Sequence, residues 1–312
     1  MNQAGTSLQV RRARAATLLS VLLVALAELI AVLWGALRPS LGPALSSQAR
    51  AAVAPMAHPG DGVVATPAAF AGPVLGLLGE AFPRESQVFV EPSRLQHAIE
   101  LSLGGSSSPE LSGWDTKQQS RVGSLRIRYL SNPKPVPLRY DLVAKLQPGD
   151  ALVSSGPAGG AGAPCNHSTA AEVELPAGLP LPWAPRSRFS CGNDPRGFVG
   201  QVILDDARGT SRRCIWTFPT TNAVKVSWPK VAPGSFVRVG AIASRSPTGS
   251  TRAKVRFKAN AAVIGEREVD ASSTFDSFDL ASPMLAGGGE ITLEVEQLTE
   301  HLAPVCVEAS VR

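Results

Sequence analysis

The four cysteines of the chain, Cys165, Cys191, Cys214 and Cys306, are the residues whose type and number most directly predict a chemistry. An even number of cysteines in an oxidising compartment predicts disulfide bonds, here two. Three connectivities are possible. We favour Cys165–Cys191, which would close a loop, and Cys214–Cys306, which would join an early strand to the last one. A zinc site at Cys165 and His167 is the alternative, although no CxxC or HxxxH motif adds ligands at zinc spacing.

Motifs that carry catalysis are absent from the sequence. The four histidines are scattered, and there is no GxSxG elbow, no HExxH motif and no paired-carboxylate spacing. A Ser–His–Asp site could form only through folding. Neither GxGxxG nor GxxxxGK[ST] occurs, and the Gly-rich stretch 156–164 leads into a Pro/Ala segment that favours a flexible linker. The sequence therefore disfavours an enzyme and predicts no organic cofactor.

Glu28 is the one ionisable residue in the apolar stretch 15–37. A helix of that length would measure about 34 Å, enough to cross a hydrocarbon core of about 30 Å. An acid in such a segment could contact a partner helix or bind a proton; the simpler interpretation, which we favour, is a tolerated protonated side chain. The stretch predicts a transmembrane helix and hence a membrane partner.

Arginines flank this stretch unevenly, three before it and one directly after it. The positive-inside rule then predicts a cytoplasmic tail, 1–14, with everything after the helix in the periplasm or outside the cell. A cleaved signal peptide with the sequence Ala-Leu-Ala at 25–27 is the rival interpretation. Both place the bulk of the chain in the same oxidising compartment.

Composition limits the remaining classes of function. The chain has 312 residues, of which 44% are hydrophobic, and the part after the apolar stretch suits two domains. The net charge is +5 without a basic run beyond the apolar stretch, which argues against nucleic-acid binding. The Ala, Gly, Pro and Arg bias is typical of a GC-rich bacterial genome.

The region 43–157 shows alternating helical and strand-like segments. Helices are predicted at 44–53, 68–82, 93–103 and 138–146, and strands at 62–67, 86–91, 124–130 and 151–157. Pro-Gly-Asp precedes two of the strands, at 59–61 and 148–150, and is typical of a helix end followed by a turn. This alternation predicts a small Rossmann-like α/β domain with a parallel sheet and no cofactor fingerprint.

The apolar stretch, the Pro-Gly-Asp turn and the runs GVVATP and AAFAGPVLGLLGEAF resemble the soluble C-terminal region of membrane glycosyltransferases of the protein mannosyltransferase type, over residues 15–157. The resemblance implies a partner or relative that uses polyprenyl-phosphate sugars. The catalytic acidic residue of that family lies in an early loop between many spanning helices. This chain lacks such a loop, so no catalytic residue carries over.

After a Pro/Gly/Ala-rich linker, 158–188, the region 189–312 changes to short alternating runs. These runs, separated by turn residues at about 8–12-residue spacing, predict a β-sandwich. They fall at 198–204, 213–218, 223–228, 236–243, 253–259, 262–269, 274–280, 291–297 and 305–311.

The runs GSFVRV at 234–239, KVRF at 254–257, TFDSF at 274–278 and GEITLEV at 289–295 resemble galactose-binding-like jelly rolls, a group with many carbohydrate-binding modules. The resemblance implies a sugar site with an exposed aromatic ring, for which Trp216 and Trp228 are the candidates. Core packing is the competing interpretation of both rings. The same resemblance also implies a structural Ca²⁺, with oxygens from Asp205, Asp206 and Glu308. The competing interpretation is that these three residues are ordinary surface acids.

Three functions remain open at this point. The first is a membrane-anchored, non-catalytic envelope protein whose β-sandwich binds a glycan or a protein partner. The second is an accessory subunit or remnant of a polyprenyl-phosphate-sugar glycosyltransferase, docked on an integral-membrane enzyme. The third is a cell-surface hydrolase. The first is favoured because the motifs that an enzyme would need are missing.

Overall fold

A computed structural model describes residues 43–58, 60–67, 78, 91–175, 177, 179–206, 211–244, 251–271, 275 and 277–312. Within these ranges, no helix is both long enough and apolar enough to cross a membrane. This finding does not support the predicted single-pass membrane protein, which is not retained. The stretch 15–37 with Glu28, the tail 1–14 and nearly all of the predicted elements at 68–82 and 86–91 lie outside the described residues.

The first part of the described chain, residues 43–131, forms a four-stranded sheet with one α-helix and is called the N-terminal unit. The sheet order is β1-β2-β4-β3; β1 and β2 are parallel and the other pairs are antiparallel. The elements are α1 (Pro43–Val53), β1 (Gly62–Thr66), β2 (His97–Leu103), β3 (Asp115–Val122) and β4 (Leu125–Ser131), with 3-10 turns at Pro92–Arg94 and Pro109–Leu111.

The predicted helix at 93–103 is wrong, because most of that segment is the strand β2. Ile99 and Leu101 pack with Val53 of α1 in one cluster, whereas Ala98 packs on the opposite face of the sheet. A strand buried on both faces has no polar alternation, and HAIELSL reads equally well as a helix. Glu100 is tolerated there because Arg128 on the neighbouring strand β4 pairs with it.

The Rossmann-like α/β class is also wrong. One parallel strand pair in a mainly antiparallel sheet, with one described helix, is not a doubly wound fold. The helix predicted at 138–146 is absent: Tyr140–Asp141 forms the short strand β5, and turns follow it. Helical propensity in LRYDLVAKL is overridden because Leu142 and Val143 are buried in the core of the second unit.

The second unit, residues 140–311, is a β-sandwich. Its later strands are β11 (Arg188–Ser190), β12 (Phe198–Asp205), β13 (Ser211–Thr217), β14 (Ala223–Val231), β15 (Phe236–Ala243), β16 (Arg252–Ala259), β17 (Ala262–Asp270), β18 (Ser277–Ala281), β19 (Gly289–Gln297) and β20 (Val305–Val311), with a 3-10 turn at Pro283–Leu285. Its earlier strands are β5, β6 (Leu152–Gly156), β7 (Ala163–Pro164), β8 (Asn166–Ser168), β9 (Val173–Glu174) and β10 (Trp183–Ala184).

Two sheets face each other in the sandwich. The larger has the order β18-β15-β20-β13-β12-β11-β8, with β5 beside β20, and the smaller has the order β17-β16-β19-β14-β6-β7. Alternate residues of each strand point inward, for example Val305, Val307 and Ala309 on β20, which meet Val226 and Leu293 from the smaller sheet in one core. Each of the nine runs predicted between 198 and 311 overlaps one of these strands.

The sandwich begins earlier in the chain than the sequence indicated. β6 pairs with β14, and β7 pairs back on β6, so the Gly-rich stretch is a hairpin turn and not a free linker. A Cβ atom on Gly156 would lie 2.6 Å from the carbonyl oxygen of Ala161, so the tight approach of the two arms requires glycine. The Glu294 side chain stabilises the turn by accepting a hydrogen bond from the Gly159 N–H (2.9 Å).

The N-terminal unit contacts the sandwich through a small group of ion pairs. Glu91 accepts a hydrogen bond from Arg312 (2.8 Å) and lies 3.3 Å from Arg238, while Arg94 lies 3.7 Å from Asp141. The Arg312 side chain is 2% exposed and the Glu91 side chain 16%. The junction between the two units is therefore both charged and largely excluded from water.

Candidate functional site: a groove at the edge of the larger sheet

The two tryptophans predicted to stack on sugar are both fully buried. Trp216 is 0% exposed and stacks on Phe198, with ring centroids 5.5 Å apart and planes at 6°. Trp228 is also 0% exposed, and its Nε1–H donates to the Lys145 carbonyl oxygen at 3.2 Å. Neither ring offers a face to a ligand, so the structure supports the core-packing interpretation of both, and a sugar site must be sought elsewhere.

Both predicted disulfide bonds are confirmed. Cys165 bonds to Cys191 beside the edge strands, and Cys214 bonds to Cys306 between the adjacent strands β13 and β20. The sulfur of Cys165 is thereby engaged, which removes the zinc alternative with His167. The His167 ring instead packs edge-on against Phe189, with ring centroids 4.9 Å apart.

Two of the three acids predicted to hold calcium, Asp206 and Glu308, lie beside an arginine instead. The Arg212 Nε lies 3.1 Å from Asp206, and its Nη1 lies 3.7 Å from Glu308. Asp205 accepts a hydrogen bond from the Ser211 hydroxyl at 2.6 Å. The Arg212 guanidinium lies beside two of these acids and its positive charge opposes a cation there, so the arrangement does not fit Ca²⁺, which prefers six to eight oxygens. Among the described residues, no group of three or more His, Cys, Asp or Glu could hold a metal ion.

A groove of about 900 Å³, here called the Trp183 groove, lies between strand β12 and the segment that contains β9 and β10. Trp183 on its wall is 49% exposed, an unusual state for so large an apolar ring. Its neighbour Ala184 is 0% exposed and packs with Phe198 and Trp216. Because successive side chains in a strand point to opposite sides, the burial of Ala184 directs the Trp183 ring outward.

Polar side chains line the opposite wall of the Trp183 groove. Gln201 and Asp205 are exposed on β12, and Arg213 projects from β13. The Gln201 Nε2 donates to the Val143 carbonyl oxygen at 3.2 Å, which orients the amide. Arg213 has neither a hydrogen-bond nor an ion-pair partner in the part of the chain that the structure describes. The wall thus combines amide, carboxylate and guanidinium groups, which together can donate to and accept from hydroxyl groups.

The edge of β12 adds backbone groups to the same groove. β11 pairs with β12 only at Phe198 and Val199, whereas β13 runs along the other side of β12 from Gly200 to Asp205. On the groove side, the described residues supply no strand partner to β12 beyond Val199. An unpaired strand edge presents N–H and C=O groups to whatever occupies the space beside it.

Two of the histidines that the sequence scatters are brought together in the N-terminal unit. Asp61 lies 3.4 Å from the Nδ1 of His58 and 3.8 Å from the Nδ1 of His97, and the His97 ring stacks on Tyr129 with ring centroids 5.4 Å apart. Burial, followed by the charge of Asp61, raises the pKa of Tyr129. These contacts tie the turn before β1 to β2 and β4, which is a structural role.

A smaller cavity of about 120 Å³ lies where the N-terminal unit meets the sandwich and is lined by charged groups from both. The Glu308 carboxyl lies on the wall of this cavity, and its pKa is shifted more than that of any other described acid. Burial raises its pKa to about 7, although Arg212 and Arg94 oppose this rise. The side chain is 21% exposed, so most of it is removed from water.

No protein-family model matches the sequence, and no curated protein is significantly similar to it. The solved structures to which the chain is similar include carbohydrate-binding modules, at low identity and low TM-score. The comparisons give no support to the resemblance to membrane glycosyltransferases.

Three of these solved structures illustrate the extent of the similarity. A mannan-recognising module, TmCBM27, is 12% identical, with 36% of this chain and 81% of that chain covered and a TM-score of 0.27. TmCBM61, solved with β-1,4-galactotriose, is 13% identical, with 39% and 85% covered and a TM-score of 0.25. The K1 adhesin domain of Lys-gingipain from Porphyromonas gingivalis W83 is 11% identical, with 33% and 75% covered and a TM-score of 0.26.

Proposed function

We propose that this protein binds a glycan in the Trp183 groove and does not catalyse a reaction on it. The observation that carries the proposal is the outward-facing ring of Trp183, 49% exposed, on the wall of a groove with polar groups opposite. The C–H groups of a sugar ring are attracted to the negative face of an aromatic ring. The hydroxyl groups around the same sugar need the donors and acceptors that the opposite wall supplies.

The size of the groove agrees with this function. A volume of about 900 Å³ lies at the upper end of the roughly 300–1,000 Å³ typical of small-molecule sites. The aromatic ring stands on a backbone fixed by the burial of Ala184, so the platform is formed before a ligand arrives. A preformed platform lowers the ordering cost of binding.

A hydrolase and a glycosyltransferase subunit are the two other functions that the sequence left open. No contact within the described residues favours either of them over glycan binding.

The test is a glycan-array screen of the purified full chain, followed by calorimetry with the oligosaccharide that binds best. We expect Trp183→Ala to weaken binding at least tenfold, about 1.4 kcal/mol, and Trp183→Phe to retain part of the affinity. Leu152→Ala is a matched control, because Leu152 is 66% exposed on β6 and does not line the groove. An unchanged affinity of Trp183→Ala, or no binding to any glycan, would overturn the proposal.

A further inference from the structure

Two further cavities lie near the Trp183 groove, and each shares lining residues with its neighbour. A cavity of about 410 Å³, here called the middle cavity, shares Pro180, Leu204 and Asp205 with the groove. A third cavity of about 440 Å³, here called the interdomain cavity, shares Arg212 and Phe275 with the middle cavity. Since neighbouring cavities have walls in common, the three adjoin one another along the larger sheet.

The interdomain cavity has walls from both units. The N-terminal unit contributes Trp114 and Lys134, and the sandwich contributes Arg238 and Ser277. Trp114 is half-buried and packs against the cluster that covers one face of the N-terminal sheet. A second aromatic ring, held on a different unit, therefore stands at the far end of the series that begins at Trp183.

The distance along this series is set by the sheet beneath it. The Trp183 groove lies at β12, and Ser277 of the interdomain cavity lies at β18. The order β18-β15-β20-β13-β12 separates these two strands by four spacings. At about 4.8 Å for each spacing, the series extends for about 19 Å, which is longer than one sugar ring.

The polar groups of the interdomain cavity suit a sugar chain as well. The Lys134 ammonium and the Ser277 hydroxyl are exposed, and Lys134 has no ion-pair partner among the described residues. Arg238 is already held by Asp279, at 3.0 Å, and by Glu91. Within the part of the chain that the structure describes, neither of these two donors has a side-chain partner, so both can serve a ligand without breaking an existing pair.

We propose that one oligosaccharide chain occupies the three cavities together, from Trp183 on the sandwich to Trp114 on the N-terminal unit. The ligand class is then an internal segment of several linked sugars, and a single terminal sugar fills only part of the site. This inference rests on the proposed function, because it assigns the length of the glycan that the Trp183 groove binds.

The experiment compares a series of oligosaccharides of increasing length, cut from the polymer that the array identifies. We expect the affinity of the wild-type chain to rise at least tenfold between the disaccharide and the hexasaccharide. Trp114→Ala should abolish this rise and leave the disaccharide affinity unchanged. Trp183→Ala should weaken binding of both lengths, and Leu152→Ala should change neither.

A second variant protects the test from a folding defect, because Trp114 also packs against its own unit. Ser277→Tyr introduces a bulky ring at an exposed position on the opposite wall and should shorten the usable site in the same way as Trp114→Ala. Affinity that depends on Trp183 but not on chain length would overturn this inference and leave the proposed function intact. If both variants keep the length dependence of the wild-type chain, the inference is overturned as well.

Discussion

The environment of Glu308 shows how one side chain can link stability to pH. Its carboxyl faces Arg212 and Arg94, which favour the charged form, and Asp141 and Asp206, which oppose it. Removal from water outweighs the two arginines and raises the pKa from 4.5 to about 7. The folded protein therefore holds a proton on this group in a range where the unfolded chain has lost it.

We predict that the free energy of unfolding falls as the pH rises from 4.5 to about 7. In that window the folded state binds more protons than the unfolded state, so each rise in pH favours unfolding. The stabilisation is complete below 4.5 and is lost above about 7, and its size is up to about 3 kcal/mol. Urea denaturation at pH 5 and pH 8 measures it.

Glu308→Gln should flatten this dependence, because the amide does not titrate. Glu300→Gln, at an exposed position, is the control and should keep the wild-type slope. If the slope of Glu308→Gln equals that of the wild type, another group is responsible.

Residue types alone do not distinguish an exposed aromatic ring from a buried one. Trp216 and Trp228 lie in clear strand patterns, and such patterns predict burial for alternate positions. Trp183 lies in the run LPLPWAPRSR, whose prolines are typical of a connecting segment. The sequence therefore does not predict that Trp183 lies against a sheet. Its site depends on Ala184 packing against residues from β12 and β13, which are distant in sequence and meet only in the fold.

At the scale of elements, the two disulfides constrain loops of different size and lie in different surroundings. Cys214–Cys306 spans 92 residues and Cys165–Cys191 spans 26. Cys214 and Cys306 are 0% and 1% exposed, whereas both cysteines of the other pair are only partly buried. Cys214–Cys306 thus cross-links the centre of the larger sheet, and Cys165–Cys191 cross-links its edge.

We predict that replacing Cys214 and Cys306 together by alanine destabilises the protein more than replacing Cys165 and Cys191. Loop closure in the unfolded chain accounts for about 4–5 kcal/mol in the first case and about 3–4 kcal/mol in the second. Loss of buried sulfur contacts beside Trp216 adds to the first. Denaturation of the two double variants provides the comparison, and equal losses would contradict the prediction.

The strands from β12 onward, and β1 and β4 of the N-terminal unit, were predicted from the sequence, whereas β2 and β3 of the N-terminal unit were not, for a physical reason. Sandwich strands such as β15 and β16 have one buried face and alternate accordingly. β2 is buried on both faces, and β3 is exposed along most of its length, so neither shows a two-residue period. α1 was predicted correctly because an Ala-rich segment favours a helix without help from packing.

At the scale of the whole molecule, the proposed glycan site depends on how the N-terminal unit sits on the sandwich. Glu91 pairs with Arg312 and Arg238, and the Arg312 guanidinium also donates to the carbonyl oxygen of Val136. Removing the charge of Glu91 would leave a buried guanidinium without its counter-charge, which is costly. We therefore expect a substitution that removes the charge of Glu91 to weaken the contact between the two units.

We predict that Glu91→Gln lowers the free energy of unfolding by about 3 kcal/mol and speeds proteolytic cleavage between 132 and 139, the segment that joins the units. The matched control is Glu268→Gln, whose pair with Arg252 is 55% and 57% exposed, and it should change stability by less than about 0.5 kcal/mol. Limited proteolysis and urea denaturation test both variants. Equal behaviour of the two would show that the Glu91 pairs do not hold the junction.

The strand β20 lies inside the larger sheet, with β15 on one side and β13 and β5 on the other, yet it follows all of them in the chain. During translation, the ribosome completes both flanking strands before the one that joins them has emerged. Until then the growing chain carries two unsatisfied edges, which invite mispairing with other nascent chains. Chaperones that shield such edges would raise the yield of the correctly assembled protein.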